Sequence, residues 1–387
     1  MDKATEAYIE QHLNDNIRQL ALSNIPVDVD KDLALRQITA RQLLKQKVPL
    51  WANNASLLFP PRLNIEQCSS ELTANYKASL VTTGETFTDL TGGTGIDCFF
   101  LSQKFRQSTY VETQTMLCDI MTHNSNVLNT NIKVCNTTTE NYLSRLQTTQ
   151  DLLFIDPARR DMKGEKTVLI TQCSPNIEPL WDTLLSKGKL VMVKLSPMLD
   201  IQLTVNILKH IKEIHVIAVD GECKELLLLA EHNYTKTPQL YCVELGKKPH
   251  IQTFSSHIDT TAFDGADTIG TFLFEPDATI MKAGIFNTFA QHYKIKPLDK
   301  STHLMTGNRI IENFFGHQYT IDTILPYNKH TEKEIPEEWK KANLTTRNFP
   351  IPAEQLRKKL KLKGFSERFI VGTTFHNQHI IILCTRI

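Results

Sequence analysis

The stretch Phe87-Thr88-Asp89-Leu90-Thr91-Gly92-Gly93-Thr94-Gly95-Ile96-Asp97 constrains this chain more than any other. A β-like run enters it and a helix-like run leaves it. Glycines at such a junction let the backbone come close to a ligand, and a helix that starts there offers unpaired amides. Two phosphate-binding readings fail on the residues themselves. Gly93-x-Gly95 is followed by Cys98 where a dinucleotide fingerprint needs its third glycine, and no Gly-Lys-Ser/Thr ending makes a P-loop.

Short β-like runs alternate with helix-length segments around this loop. The runs are Thr86–Leu90, Thr109–Glu112, Ile132–Asn136, Asp151–Ile155, Lys189–Lys194 and Glu213–Val219. Such alternation predicts right-handed βαβ units and an open parallel sheet with helices on both faces, an α/β fold that binds ligands at the carboxyl ends of its strands. Leu226–Ala230 and Leu240–Leu245 read as strands closing this region. Upstream, Leu33, Ile38, Leu43 and Leu44 recur at near-helical spacing, and Glu66–Leu80 forms a second helical patch. Beyond about residue 250 the rhythm stops. His257–Gly270 reads as a linker, Ala278–His292 as a helix, and Ile310–Phe315 and Tyr319–Ile324 as strands. A helix from Pro352 to Gly364 precedes a hairpin of Phe369–Phe375 and Ile380–Thr385. At roughly 150 residues per domain, the length suits two or three domains. The expected division is a helical segment 1–80, a ligand-binding domain 81–250, a segment 270–325 and a tail region 326–387.

Asp89 decides the ligand's charge. A carboxylate at the end of the first strand repels a pyrophosphate and suits a cation. S-adenosylmethionine (SAM) carries a sulfonium and an ammonium and no phosphate. Glu112, 23 positions later and at the end of the second strand, can accept both ribose hydroxyls through its two oxygens. Thr138, after the third strand, is placed to flank the adenine. The loop Asp156-Pro157-Ala158-Arg159-Arg160-Asp161 follows the fourth strand and faces the cofactor's reactive end. Asp156 supplies an acceptor there, and Pro157 leaves the preceding carbonyl exposed. Two acceptors can hold an exocyclic amine with its lone pair on the methyl carbon, which is catalysis by alignment. Arg159 and Arg160 add phosphate-binding or base-stacking capacity. Lys194 and Ser196, ending the fifth strand, are candidates for substrate contact. Ser69-Ser70-Glu71, with Lys77 downstream, reads either as a cover over the cofactor or as a helix cap.

With 43 basic and 42 acidic residues, a uniformly basic nucleic-acid coat is excluded while local patches remain open. One such patch is Arg357-Lys358-Lys359-Leu360-Lys361-Leu362-Lys363, five positive charges suited to phosphates. Arg41, Lys45 and Lys47 form a weaker patch, expected to be solvated. The eight cysteines form no CxxC pair and the histidines show no ligand spacing, so free thiols and no metal site are expected. No segment approaches the roughly 18 apolar residues of a membrane helix. The expectation is a cytoplasmic protein that meets no membrane.

At these residues the chain resembles the class I SAM-dependent methyltransferases. It is most similar to a bacterial family carrying a ferredoxin-like segment and a C-terminal THUMP-like domain. The stretches that carry the likeness are EQCSSELTANYKA (66–78), DLTGGTGID (89–97), YVE (110–112), DPARRD (156–161), KLSPMLD (194–200), GECKELL (221–227), RNFPI (347–351) and LRKKLKLK (356–363), which cover nearly the whole chain. The resemblance implies a seven-stranded Rossmann-like sheet, SAM as cofactor and RNA as substrate, structured ribosomal or transfer RNA in particular. It puts segment 270–325 on the ferredoxin-like part and 326–387 on the THUMP-like domain. By motif position, Asp89, Thr91, Gly92, Gly93 and Gly95 fall on the methionine-binding loop, Glu112 on the ribose acid and Asp156 beside the methyl group. Arg357, Lys358 and Lys361 fall on the RNA-gripping tail. The sequence departs from the pattern at three places. Thr91 stands where a first glycine is common, Thr138 where an Asp is common, and Arg159 where amine methyltransferases have an aromatic that stacks on the base. Two other readings remain: a small-molecule or protein methyltransferase whose tail drives oligomerisation, and a non-catalytic RNA-binding protein that keeps the fold.

Overall fold

Helix caps and apolar runs written into the first 80 residues produce six helices before the first strand. They are α1 (Lys3–Gln11), α2 (Ile17–Leu22), α3 (Lys31–Lys47), α4 (Pro49–Ala52), α5 (Arg62–Gln67) and α6 (Glu71–Ser79). Asp2, Asn16, Asp30 and Ser70 cap four of them by accepting first-turn amides. Tyr8, Ile9, Leu20, Ala34 and Ile38 pack α1 to α3 together. Arg41 is not solvated. Its buried guanidinium donates to the carbonyls of Asn54, Ala55 and Leu57, which fixes the extended segment after α4. Lys47 likewise donates to the carbonyls of Ile65 and Glu66. These bonds satisfy backbone that no helix or sheet would pair.

The computed structural model describes residues 1–159, 169–364 and 366–387. The chain forms two compact units, Met1–Ile214 with Glu225–Lys236, and His215–Lys224 with Thr237–Ile387. In the first unit the α/β alternation runs β1 (Gly84–Asp89), α7 (Ile96–Ser102), β2 (Phe105–Glu112), α8 (Thr115–Val127), β3 (Ile132–Asn136), α9 (Thr139–Arg145) and β4 (Gln150–Ile155). A two-residue ladder, β5 (Ala158–Arg159) with β6 (Cys173–Ser174), follows. Then come α10 (Trp181–Lys187), β7 (Gly188–Leu195), α11 (Ile201–Ile207), β8 (Ile211–Val219) and β9 (Glu222–Ala230).

These strands lie side by side in the order β3-β2-β1-β4-β7-β9-β8. β1 pairs in parallel with β2 on one side and β4 on the other, so the winding reverses at β1 and opens a crevice beyond its carboxyl end. The sheet is mixed rather than wholly parallel, because β9 runs antiparallel to β7. The cause is local. Asp220 and Gly221 both take positive φ in the two-residue turn joining β8 to β9, and so short a turn can only reverse the chain. Val191, Met192 and Val193 of β7 and Leu226–Ala230 of β9 are buried throughout, as strands covered on both faces require.

The second unit carries β10 (Gln239–Glu244) and β11 (His250–Phe254), an antiparallel pair, and then β12 (Phe272–Pro276), α12 (Ala278–Ala283), α13 (Phe286–Tyr293), β13 (Lys296–Pro297), β14 (Met305–Gly307), β15 (Gly316–Pro326), α14 (Thr331–Glu334), β16 (Asn343–Thr346), α15 (Ala353–Lys359), β17 (Arg368–Phe375) and β18 (Gln378–Arg386). Seven of these strands form a sheet in the order β13-β14-β12-β15-β18-β17-β16. The expected tail hairpin is β17–β18, turned by His376 and Asn377 at positive φ. Two expectations change. Ala278–His292 is two helices, because Gly284 takes φ 71° and ends α12. Ile310–Phe315 is not a strand. Phe314 and Phe315 are apolar because they are buried, and Phe314 packs against Phe274, Phe289 and Tyr293 from a turn that Asn313 makes at φ 53°.

Candidate active site

A cavity of about 420 Å³ opens at the switch point, beyond the carboxyl ends of β1, β2, β4 and β7. That is an ordinary size for a cofactor pocket. Among the described residues the lining side chains include five carboxylates, Asp89, Asp97, Glu112, Glu140 and Asp156, and one lysine, Lys194. Such a wall disfavours phosphate and favours a cation. The segment between α5 and α6 contributes Asn64, Gln67, Cys68 and Ser69 to it.

The glycine loop is shaped by three contacts. Gly93 takes φ 54° and its N–H donates to Glu112 Oε2 at 3.0 Å. Gly95 takes φ 82° and starts α7. A side chain on Gly92 would run into the ring of Tyr110, whose hydroxyl donates to the Gly93 carbonyl at 2.7 Å. Thr91, which replaces a glycine, has a purpose of its own: its Oγ1 accepts the Asp156 N–H at 2.7 Å and ties the glycine loop to the loop after β4.

Asp89 is 1% exposed and accepts the Thr91 N–H through Oδ1 at 3.0 Å. Among the described residues nothing donates to its second oxygen. Burial pushes its carboxyl well above the ordinary range, and the single amide does not reverse this. Glu112 Oε1 accepts three bonds, from the Thr113 N–H, the Thr113 hydroxyl and the Gln114 N–H. Only Oε2, with one donor, keeps a lone pair for a ligand.

Asp97, a residue the sequence did not single out, anchors a chain of charges. Lys77, 0% exposed, lies 3.1 Å from Asp97 Oδ1 and 2.6 Å from Glu225 Oε1. Ser69 donates to Asp97 Oδ2 at 2.6 Å, while Ser70 caps α6. Lys194 Nζ reaches Asp97 at 3.3 Å and Asp156 Oδ2 at 2.6 Å. Burial alone would raise the Asp97 carboxyl, but Lys77 and Lys194 outweigh it and hold it below the ordinary carboxylate range. Burial works against the charge of Lys194, and Asp156, Asp97 and Glu225 more than restore it, so it stays an ammonium.

Asp89, Thr91, Gly92, Gly93, Glu112, Thr138, Asp156 and Lys194 thus share one cavity. Thr138 also caps α9 through the Asn141 N–H. Gly95, Pro157 and Ser196 do not line it; Ser196 accepts the Met198 N–H in the turn after β7. The backbone of Arg159 pairs with Cys173, and Arg160 lies outside the described residues. In the second unit, Leu356, Leu360 and Leu362 bury one side of the basic segment against Ile370, Ile381 and Leu383. Lys358, Lys359 and Lys363 are exposed on the other, and Lys361 pairs with Glu332 at 2.5 Å. Among the described residues no cluster of three or more His, Cys, Asp or Glu could hold a metal, and no helix is long and apolar enough to cross a membrane.

Comparison with known proteins adds a context. A THUMP domain-like family model matches residues 316–386, and a ferredoxin-like domain model matches residues 272–314. An S-adenosylmethionine-dependent methyltransferase of Mycobacterium tuberculosis, otherwise uncharacterised, is 23% identical over 224 residues in each of two strains. The match spans 57% of this chain and 60% of that relative's length. A crystal structure from Porphyromonas gingivalis W83, provisionally assigned as a methyltransferase, superposes with a TM-score of 0.87 at 28% identity, covering 100% of this chain and 99% of the other. The fold is shared along the entire chain.

Proposed function

We propose that this chain is a SAM-dependent methyltransferase acting on a base of structured RNA, ribosomal or transfer. The observation that carries the cofactor is Asp89, a buried carboxylate one oxygen of which takes no bond among the described residues, in a cavity whose described lining holds five acids and one lysine. A sulfonium and an ammonium satisfy it; a phosphate does not. When bound, SAM supplies a methyl group already activated by the positive sulfur. The loop amides and Asp89 hold the methionyl part, Glu112 Oε2 takes a ribose hydroxyl, and Thr138 flanks the adenine. Asp156 stands at the acceptor side, held by Thr91 and Lys194. On this reading 81–250 is the methyltransferase domain, 1–80 its helical flank, 270–325 the ferredoxin-like segment and 326–387 the RNA grip. The exposed lysines around Lys358 support that last role.

Isothermal titration with SAM tests the cofactor. Binding by the native chain is expected, weakened roughly 30-fold or more by Asp89→Ala, as for removal of one partner of a buried charge contact worth about 2 kcal/mol. No heat at millimolar SAM would dispose of the assignment.

A further inference from the structure

Two acids of the cavity bond Lys194, which lines the same wall, and Asp156 makes the shorter contact, 2.6 Å against 3.3 Å for Asp97. Lys194 Nζ has three hydrogens and no lone pair. Among the described residues Asp97 and Asp156 accept two of them, which leaves one for a ligand. The acceptor end of the cavity therefore presents a carboxylate oxygen and an N–H donor side by side, 2.6 Å apart.

An exocyclic amine suits this pair poorly. Its hydrogens satisfy Asp156, but Lys194 can then reach only the neighbouring ring nitrogen of adenine or cytosine. A cation there draws the amine's lone pair into the ring and weakens the nucleophile. A ring N–H next to a carbonyl fits both groups: the N–H donates to the carboxylate and the carbonyl accepts from the ammonium.

We propose that the methyl acceptor is the ring nitrogen of a lactam or imide edge, N1 of guanine or N3 of uracil, with Asp156 as base and Lys194 as donor to the adjacent carbonyl oxygen. This rests on the cofactor and RNA reading above. Asp156 takes the ring N–H proton, and the negative charge spreads from nitrogen onto the oxygen that Lys194 holds. The nitrogen then bonds to the methyl carbon as the carbon–sulfur bond breaks, its electron pair passing to sulfur. The base leaves neutral and methylated, sulfur leaves as a neutral thioether, and Asp156 returns its proton to solvent. Asp97 holds Lys194 from behind, and Lys77 and Ser69 hold Asp97 in turn.

The test incubates the full-length chain and methyl-labelled SAM with total RNA from cells lacking the gene, then identifies labelled nucleosides by mass spectrometry. N1-methylguanosine or N3-methyluridine is the expected product. Label on an exocyclic nitrogen, a carbon or a ribose overturns the proposal. No label in RNA overturns it together with the RNA reading, and SAM titration on the same preparation then tells whether the cofactor assignment falls too. With the product in hand, Lys194→Met should lower kcat about 10²- to 10³-fold, the cost of losing one donor to a developing oxyanion, and Lys194→Arg should recover part of it. A folded Lys194→Met enzyme at native kcat also overturns the proposal. If that variant does not fold, the identity of the native product decides alone.

Discussion

Lys77 sits behind the cavity and Lys194 in its wall, each within 3.3 Å of two carboxylates, whereas Lys358, Lys359 and Lys363 stand in solvent on the rim of a leucine-anchored segment. The same residue type does two different jobs. Behind the cavity the charge has left water, so its partners are obligatory and removing one leaves an unpaired ion. On the tail the charges stay hydrated, add little to folding and are free for the polyanion of the proposed function.

Breaking the buried set should cost most. Lys77→Met strands Glu225 and leaves Asp97 with Lys194 as its cation, and a loss of about 3–5 kcal/mol is expected in urea unfolding of the protein. A loss under 1 kcal/mol would mean that the buried pairs do not hold the unit together. Asp89 sharpens the contrast from the other direction, since it is buried, forms no ion pair among the described residues, and Lys194 does not offset its burial. Its raised carboxyl favours the proton in the folded state, so the native chain loses stability as pH climbs through the ordinary carboxylate value of 3.8 towards the folded one. Asp89→Asn escapes that loss. Melting curves should show the variant level with the native chain near pH 4 and ahead of it at pH 8, by about 2–4 °C for each kcal/mol relieved, while SAM binding is lost. The smallest effect on stability belongs to the tail. Lys358→Glu with Lys363→Glu should stay within about 0.5 kcal/mol of native, yet lower RNA affinity and flatten its salt dependence by roughly one logarithmic unit per lost phosphate contact. An unchanged salt slope in filter binding would place RNA elsewhere.

The sequence shows the first unit more clearly than the second, for a physical reason. Parallel strands buried on both faces are continuous apolar runs, and the glycines and acids at their ends stand in fixed order. In the second unit, strands such as Met305–Gly307 and Asn343–Thr346 are three and four residues long, and they carry no alternation long enough to see. Within the site, residues that touch the cavity through strand ends were legible. The groups behind them were not. Lys77 and Glu225 are 148 positions apart and meet only once the sheet has formed. Tyr110 was quoted for its place before Glu112, but its use as a prop for the Gly93 carbonyl depends on the tight turn that Gly92 permits.

Thr91 has a mechanical consequence. Because its hydroxyl grips the backbone of Asp156, the segment that cradles the donor and the segment that meets the acceptor share a pin. Any shift that SAM imposes on the first is passed to the second without a moving domain. Loading of the methyl donor and alignment of the methyl acceptor then become a single adjustment, and a chain with glycine at this place would have to make it twice.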